Sequence, residues 1–327
     1  MIITDSLYGS FEVNEQLINE LIFSREFQRL KDISQFGIPP KYYHIKGDFS
    51  RYEHSVGVML LLRKFNAGLE EQVAGLLHDV SHTAFSHIGD WVFGTNAEEN
   101  YQDLNHESFL TNSDLPSILS KHSLDYTLIS DISTFRLLER QRPELCADRL
   151  DFSLREIFYR FDKYFHELVL ENLAVFDSNF AFKSKDKARE FAEYYLKLQT
   201  EHWGEIETLI RYHIFSDIIK YAIDDRIIDY KDLYLDDTTV INKLLNSDDH
   251  YVKEKLNILS SELKFEENSN NPDFILKEKK FRYVDPLYLE NGNLSRLSEN
   301  DLSYKKLLEE KMRLTKKSLR IKLLNNV

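Results

Sequence analysis

Two adjacent residues with metal-ligand chemistry, His78 and Asp79, close the apolar run Val73-Ala74-Gly75-Leu76-Leu77. A histidine and a carboxylate in the last turn of a buried helix are costly unless something binds them. Imidazole nitrogen with carboxylate oxygen suits a divalent ion such as Mn, Fe, Zn or Mg. Two more donors have the right character: His54, upstream in Arg51-Tyr52-Glu53-His54-Ser55, and Asp148, downstream in Ala147-Asp148-Arg149-Leu150-Asp151-Phe152. Each alone also fits a satisfied polar position in the core. Together, His54, His78, Asp79 and Asp148 describe a metal site fed by three helices, a known arrangement in helical cores. Neighbours on a helix point about 100° apart. His78 and Asp79 therefore share one ion only near a helix end, or Asp79 reaches a second ion or a water.

Acid/base groups crowd the next segment: His82, His87 and Asp90, then His106-Glu107. Asp90 follows His87 by three residues, which on a helix sets carboxylate beside imidazole. Such a partner orients the ring and raises its affinity for a proton, which suits proton transfer near neutrality. Arg51 and Arg149 stand next to the presumed ligands and could grip a phosphate.

The elements that must carry these residues are mostly helical. Residues 6–13 read as a short hairpin or an extended entry. Asn14 reads as an N-cap, with Leu17, Ile18, Leu21 and Ile22 on one helix face. A second helix is predicted over 25–35, stopped by Gly37 and Pro39-Pro40. Helices are predicted at 54–65, 69–79, 86–93, 105–111, 114–120, 143–160 and 236–246, with one long helix over 186–223. Residues 171–185 read as a hairpin turning at Asp177-Ser178-Asn179. Residues 264–275 form a polar connector, and 279–289 read as extended. The tail 303–327 carries eight Lys or Arg against two Glu and reads as a solvated helical face. His44, His122, His166, His202, His213 and His250 read as solvated or structural, and Trp91 and Trp203 as packing residues.

Composition narrows the function. A net charge of −13 argues against a general binder of nucleic-acid backbones. One cysteine, Cys146, excludes an intramolecular disulfide and fits a reducing compartment. The opening residues lack a basic segment followed by an apolar one. There is no apolar run of about 18 residues to span a membrane. The expectation is a cytoplasmic chain that does not enter the membrane.

The motifs resemble the HD-domain phosphohydrolases, in the deoxynucleoside triphosphate triphosphohydrolase branch that includes the vertebrate sterile-alpha-motif/HD protein. The resemblance runs from Asp5-Ser6-Leu7-Tyr8-Gly9 through Glu26-Phe27-Gln28-Arg29-Leu30 and Gln35-Phe36-Gly37. It is strongest in 51–58 and 74–87, and continues through His106-Glu107 and Ala147–Phe152. Weaker likeness extends to Arg282-Tyr283-Val284-Asp285-Pro286, covering roughly residues 1–290. It implies an all-α HD-domain core over 1–263 with small β-hairpin additions. Residues 264–327 would then be a C-terminal extension with an extended segment and a basic helical tail. It implies a divalent cofactor (Mn, Fe, Mg, Ni or Zn) held by His54, His78, Asp79 and Asp148. His87, supported by Asp90, would be catalytic, and His106 the second active-site histidine. Arg51, His82 and Arg149 would contact phosphate, and Gln35 would lie near the sugar.

The chain also departs from that branch. Near Lys197–His202 no tyrosine stands in register with the one that closes over the substrate, although Tyr194 and Tyr195 are close. Phe152 replaces a sugar-side tyrosine. The expected activity is hydrolysis of a (d)NTP to nucleoside and triphosphate. The alternatives are a nucleoside monophosphate phosphatase, a cyclic or oligonucleotide phosphodiesterase, or a non-catalytic nucleotide sensor. Members of the branch often assemble, which implies a homo-oligomer with the tail as a contact.

Overall fold

Ser50 and Glu53 start the helix that carries His54. The Ser50 side chain accepts from the Glu53 N–H and Glu53 reaches back to the Ser50 N–H, a capping box that satisfies two donors at once. In the computed structural model, which describes residues 1–44, 47–95, 99–276, 280–315 and 318–324, this Arg51–Lys64 helix packs along Leu69–Leu77 and Ala147–Arg160. Their shared apolar faces, with that of Lys185–Leu198, make the first of two buried clusters. The second joins Ile206–Asp224, His250–Leu259 and Ile88–Phe93. Phe152 touches both.

The chain is mostly helical, but all-α is too strong, because three small sheets are present. Strands β1 (Ile2–Asp5) and β2 (Gly9–Glu12) form an antiparallel hairpin. Strands β3 (Leu173–Phe176) and β4 (Asn179–Phe182) turn through Asp177 and Ser178, both with positive φ, as a tight hairpin requires. Strands β5 (Phe265–Glu267), β6 (Phe274–Leu276), β7 (Leu287–Glu290), β8 (Asn293–Arg296) and β9 (Leu319–Leu323) complete the sheets. Their orders are β3-β4-β7-β8, with β4 and β7 parallel, and β5-β9-β6.

Four local expectations need correction. The N-cap position of Gln16–Ile22 is Glu15, not Asn14. The 25–35 helix stops early, as Arg25–Gln28 and a 3-10 turn Arg29–Asp32. Beyond it the backbone finds partners across the fold: Gln35 N donates to the Phe49 carbonyl and Arg51 N to that of Ile33. The 186–223 helix is interrupted by a π turn at Gln199–Trp203. The tail is helical only over Leu302–Thr315 and then becomes β9, whose Ile321 is buried between β5 and β6. Lys316 and Lys317 lie outside the described residues.

Candidate metal centre and its cavity

The helix that delivers His78 stops at Leu77, so His78 and Asp79 lie in the turn that follows. Their side chains converge: His78 Nε2 is 3.4 Å from Asp79 Oδ1. His54, fully buried, points its Nε2 at the same place, 3.3 Å from His78 Nε2 and 3.0 Å from Asp148 Oδ1. Asp79 Oδ2 is 3.8 Å from His54 Nε2. The donor atoms of His54, His78 and Asp148 all lie within 4.8 Å of one another. Two imidazole nitrogens and the carboxylates facing them are a donor set that fits a divalent metal.

What stands behind the donors fixes their direction. His54 Nδ1 is 2.8 Å from Asp151 Oδ1, and His78 Nδ1 is 2.8 Å from the Gly75 carbonyl. Each ring is thereby turned with Nε2 forward, as a ligating histidine needs. Asp151 accepts from Tyr8 Oη at 2.8 Å and Arg155 Nε at 2.7 Å, and Arg155 reaches Asp5 at 2.7 Å. The N-terminal hairpin is thus tied to His54 through Asp151. Gly57 makes room for this network: a Cβ there would meet Arg155 Nη2 at 1.9 Å and Asp151 Oδ2 at 2.2 Å. Burial alone would lower the His78 imidazole, but Asp79 and Asp148 outweigh it and raise it to about 9.

The expected acid/base residues lie beside this centre. His82 Nε2 is 3.3 Å from Asp79 Oδ1. Burial and the Arg51 charge push that imidazole down to about 3, so His82 is neutral near pH 7. His87 Nδ1 is 3.0 Å from Asp90 Oδ2, the pairing their spacing predicts. Burial opposes ionisation of Asp90, yet His87, the Tyr101 N–H and Thr95 hold it down to about 2. His106 stands apart: it does not line the cavity, and its buried Nδ1 is 2.9 Å from Ser81 Oγ.

The arginines are partly committed to the protein. Arg51 donates to Asp79 at 2.6 Å and Ser86 at 2.9 Å, leaving Nη2 without a partner. Arg149 donates to the carbonyls of Glu144 and Arg140 and to Cys146 Sγ. Both line a cavity of about 720 Å³ between the two clusters, as does Gln35, whose buried Oε1 has no partner.

The far wall holds residues that the sequence did not single out. Arg282 and Lys280 pair with Glu99, the latter at 3.3 Å, and Arg142 is within electrostatic reach of all three. At another end, Trp203 Nε1 donates to Glu156 Oε1 at 2.7 Å, and His202 Nε2 is 3.2 Å from Glu156 Oε2. Glu156 could have been found, because 148, 152 and 156 share one helix face. No such signal marks His202, whose sequence context reads as solvated or structural, or Trp203, which reads as a packing residue; both reach the cavity through the π turn.

No helix among the described residues is long and apolar enough to cross a membrane. The HD domain family model matches residues 51–143. The chain is 35% identical over 327 residues to the uncharacterized protein YdhJ of Bacillus subtilis, covering 99% of each. It is 40% identical over 156 residues to the metal-dependent phosphohydrolase cns2 of Cordyceps militaris, covering 48% of this chain and 45% of that one. A crystal structure of a phosphohydrolase from Bacteroides thetaiotaomicron superposes over the whole of both chains with a TM-score of 0.73 at 16% identity.

Proposed function

We propose that this chain, which belongs to the HD-domain phosphohydrolase superfamily, is a metal-dependent hydrolase of nucleotide phosphoesters, most directly of a (d)NTP to nucleoside and triphosphate. The observation that carries hydrolysis is the convergence of His54, His78 and Asp148, with Asp79 beside both histidines and the two rings oriented from behind. These four would hold the ion, which supplies a polarising charge on a phosphoryl oxygen and an activated water. His87, backed by Asp90, would move a proton at the scissile ester. Arg51 Nη2 and neutral His82 would contact the phosphate nearest the metal, with Arg149 beside them. His106 would act only through Ser81. Gln35 would meet a polar group of the sugar.

The cations of the far wall support a polyphosphorylated substrate. Among the described residues, Arg142, Lys280 and Arg282 face the same cavity as the metal donors, and two of them contact Glu99. One observation favours a different nucleotide ester: Phe152, on the cavity wall, offers no hydroxyl to a sugar. A product screen decides between them. The protein is incubated with Mn, Mg, Fe(II) or Ni and with nucleoside triphosphates, monophosphates and cyclic dinucleotides. Intact triphosphate, absent from His78→Ala, supports the first reading. Orthophosphate or a linear dinucleotide moves the activity to a monophosphatase or phosphodiesterase. No metal-dependent product overturns hydrolysis. In the same samples, a monomer on size-exclusion chromatography would count against the homo-oligomer that the resemblance implies.

A further inference from the structure

Segments far apart in the chain meet on one buried carboxylate outside the metal centre. Asp237 opens the Asp237–Asn246 helix and is 7% exposed. Its Oδ1 accepts from Phe85 N at 2.6 Å, and its Oδ2 from Ser34 N at 2.9 Å. The first amide lies within the turn between His82 and His87, and the second lies one residue before Gln35. Neighbouring bonds run the same way. Ala84 N donates to the Leu233 carbonyl at 2.6 Å, and Arg29 donates to the carbonyls of Val80, His82 and Leu235. Ser86 Oγ donates to the Ser34 carbonyl at 2.6 Å and accepts from Arg51 Nε at 2.9 Å.

The backbone explains why so many ties are needed. Phe85 has φ 62° and Ser86 φ 46°, two consecutive side-chain-bearing residues in the left-handed region. That conformation is costly for L-residues and persists only where surroundings over-determine it. Phe85 is fully buried against Phe215, with ring centroids 4.9 Å apart. Gly37 lets the Ser34 loop lie on this peptide: a Cβ there would meet the Phe85 carbonyl oxygen at 2.5 Å. The turn sets the rings of His82 and His87 edge to face, 5.4 Å apart, with both on the cavity wall.

We propose that Asp237 is a positioning residue: its carboxylate staples the Ser34 loop to the Phe85 peptide and so fixes how His82 and His87 face the metal centre. The hydrogen-bonding part stands on the geometry alone, while its kinetic consequence rests on the hydrolase reading above. Asp237 touches none of the four donors. Asp237→Asn keeps the volume but turns one acceptor into a donor, so one of the two amides loses its partner.

The test compares full-length wild type with Asp237→Asn, and with Asp237→Ser as the second variant should Asn fold poorly. Metal content, melting temperature, amide exchange over 83–88, the His87 imidazole titration by NMR, kcat and KM are read together. The expected result is wild-type metal content, melting lowered by no more than a few degrees, at least about tenfold faster exchange at Phe85, and a shifted His87 titration. With these, kcat falls by up to roughly 10²-fold, the scale of a misplaced catalytic group, and by a larger factor than KM rises through the displaced His82. Unchanged exchange and titration would overturn the proposal, as would a kcat that falls only in step with lost metal or folded protein. If wild type turns over no phosphoester, the hydrolase reading fails, and exchange with the His87 titration still decides the staple.

Discussion

The two ends of the cavity are finished to different degrees. At the metal end, both histidine donors have a partner behind them: Asp151 for His54 and the Gly75 carbonyl for His78. At the other end, Gln35 Oε1 is buried without a hydrogen bond, Glu156 Oε2 meets Arg160 Nε only at 3.4 Å and His202 Nε2 at 3.2 Å, and among the described residues cations outnumber the carboxylate they pair with. A buried polar atom without a partner is costly and is retained where a ligand supplies the missing bond. The contrast separates histidines held from behind from polar groups, Arg51 Nη2 among them, that are left open to a ligand.

The largest effect should come from breaking the fixed end directly. Asp148→Ala removes the carboxylate facing both His54 and His78. Bound metal should fall to background by elemental analysis, and turnover with it, while the far wall is untouched. Retained stoichiometric metal with full turnover would refute the assignment of Asp148.

Asp151→Asn should come next, because it leaves all four donors in place. It would remove the charge facing His54 and Arg155 and leave one acceptor oxygen where His54, Tyr8 and Arg155 now share two. Loss of such a backing carboxylate costs roughly 10–100-fold in metal affinity. Competition with a chelator measures it. Gly57→Ala should reproduce the loss, since its methyl would occupy the space of Arg155 and Asp151. Tyr8→Phe removes only one bond to Asp151 and should do little. Equal affinities across all three would mean that the backing network does not tune the centre.

Arg282→Ala probes the unfinished end. A charge-assisted bond is worth about 1.5–3 kcal/mol, so KM for a nucleoside triphosphate should rise about tenfold or more. KM for a monoester, and metal affinity, should stay near wild type. A uniform rise for both substrates would place Arg282 in structure rather than in recognition of a second phosphate.

Sequence made the fixed end legible and the unfinished end nearly invisible, for a physical reason. His54, His78, Asp79 and Asp148 are chemically conspicuous, but the helix predicted over 69–79 ends at Leu77, and that earlier break lets His78 and Asp79 converge. The His87–Asp90 pair is a three-residue relation. Asp151 stood in plain view within the motif, but its role depends on a contact 97 residues away. His202 and Trp203 reach the cavity through a π turn that no local pattern announces. The alternation Leu319, Ile321, Leu323 was a strand signal, yet the surrounding basic residues suggested a solvated helix. Its pairing with β5 and β6 is a long-range event.

The smallest predicted effect tests whether the unfinished end is held at a cost to stability. Burial raises the Glu156 carboxyl; Arg160 and Trp203 offset this only in part, and it settles at about 7 from its ordinary 4.5. A carboxyl raised on folding binds its proton more tightly in the folded state, so this group's contribution falls as pH rises from 4.5 to about 7. Above that window the cost is complete, at roughly 3 kcal/mol as an upper bound. Glu156→Gln removes the charge and keeps an acceptor for Trp203 Nε1. It should melt like wild type at pH 5 and several degrees higher at pH 8, while binding substrate more weakly. An equal change in melting at both pH values would mean that Glu156 carries no buried charge near neutrality, and the cavity's two ends would then differ in their partners but not in what they cost the fold.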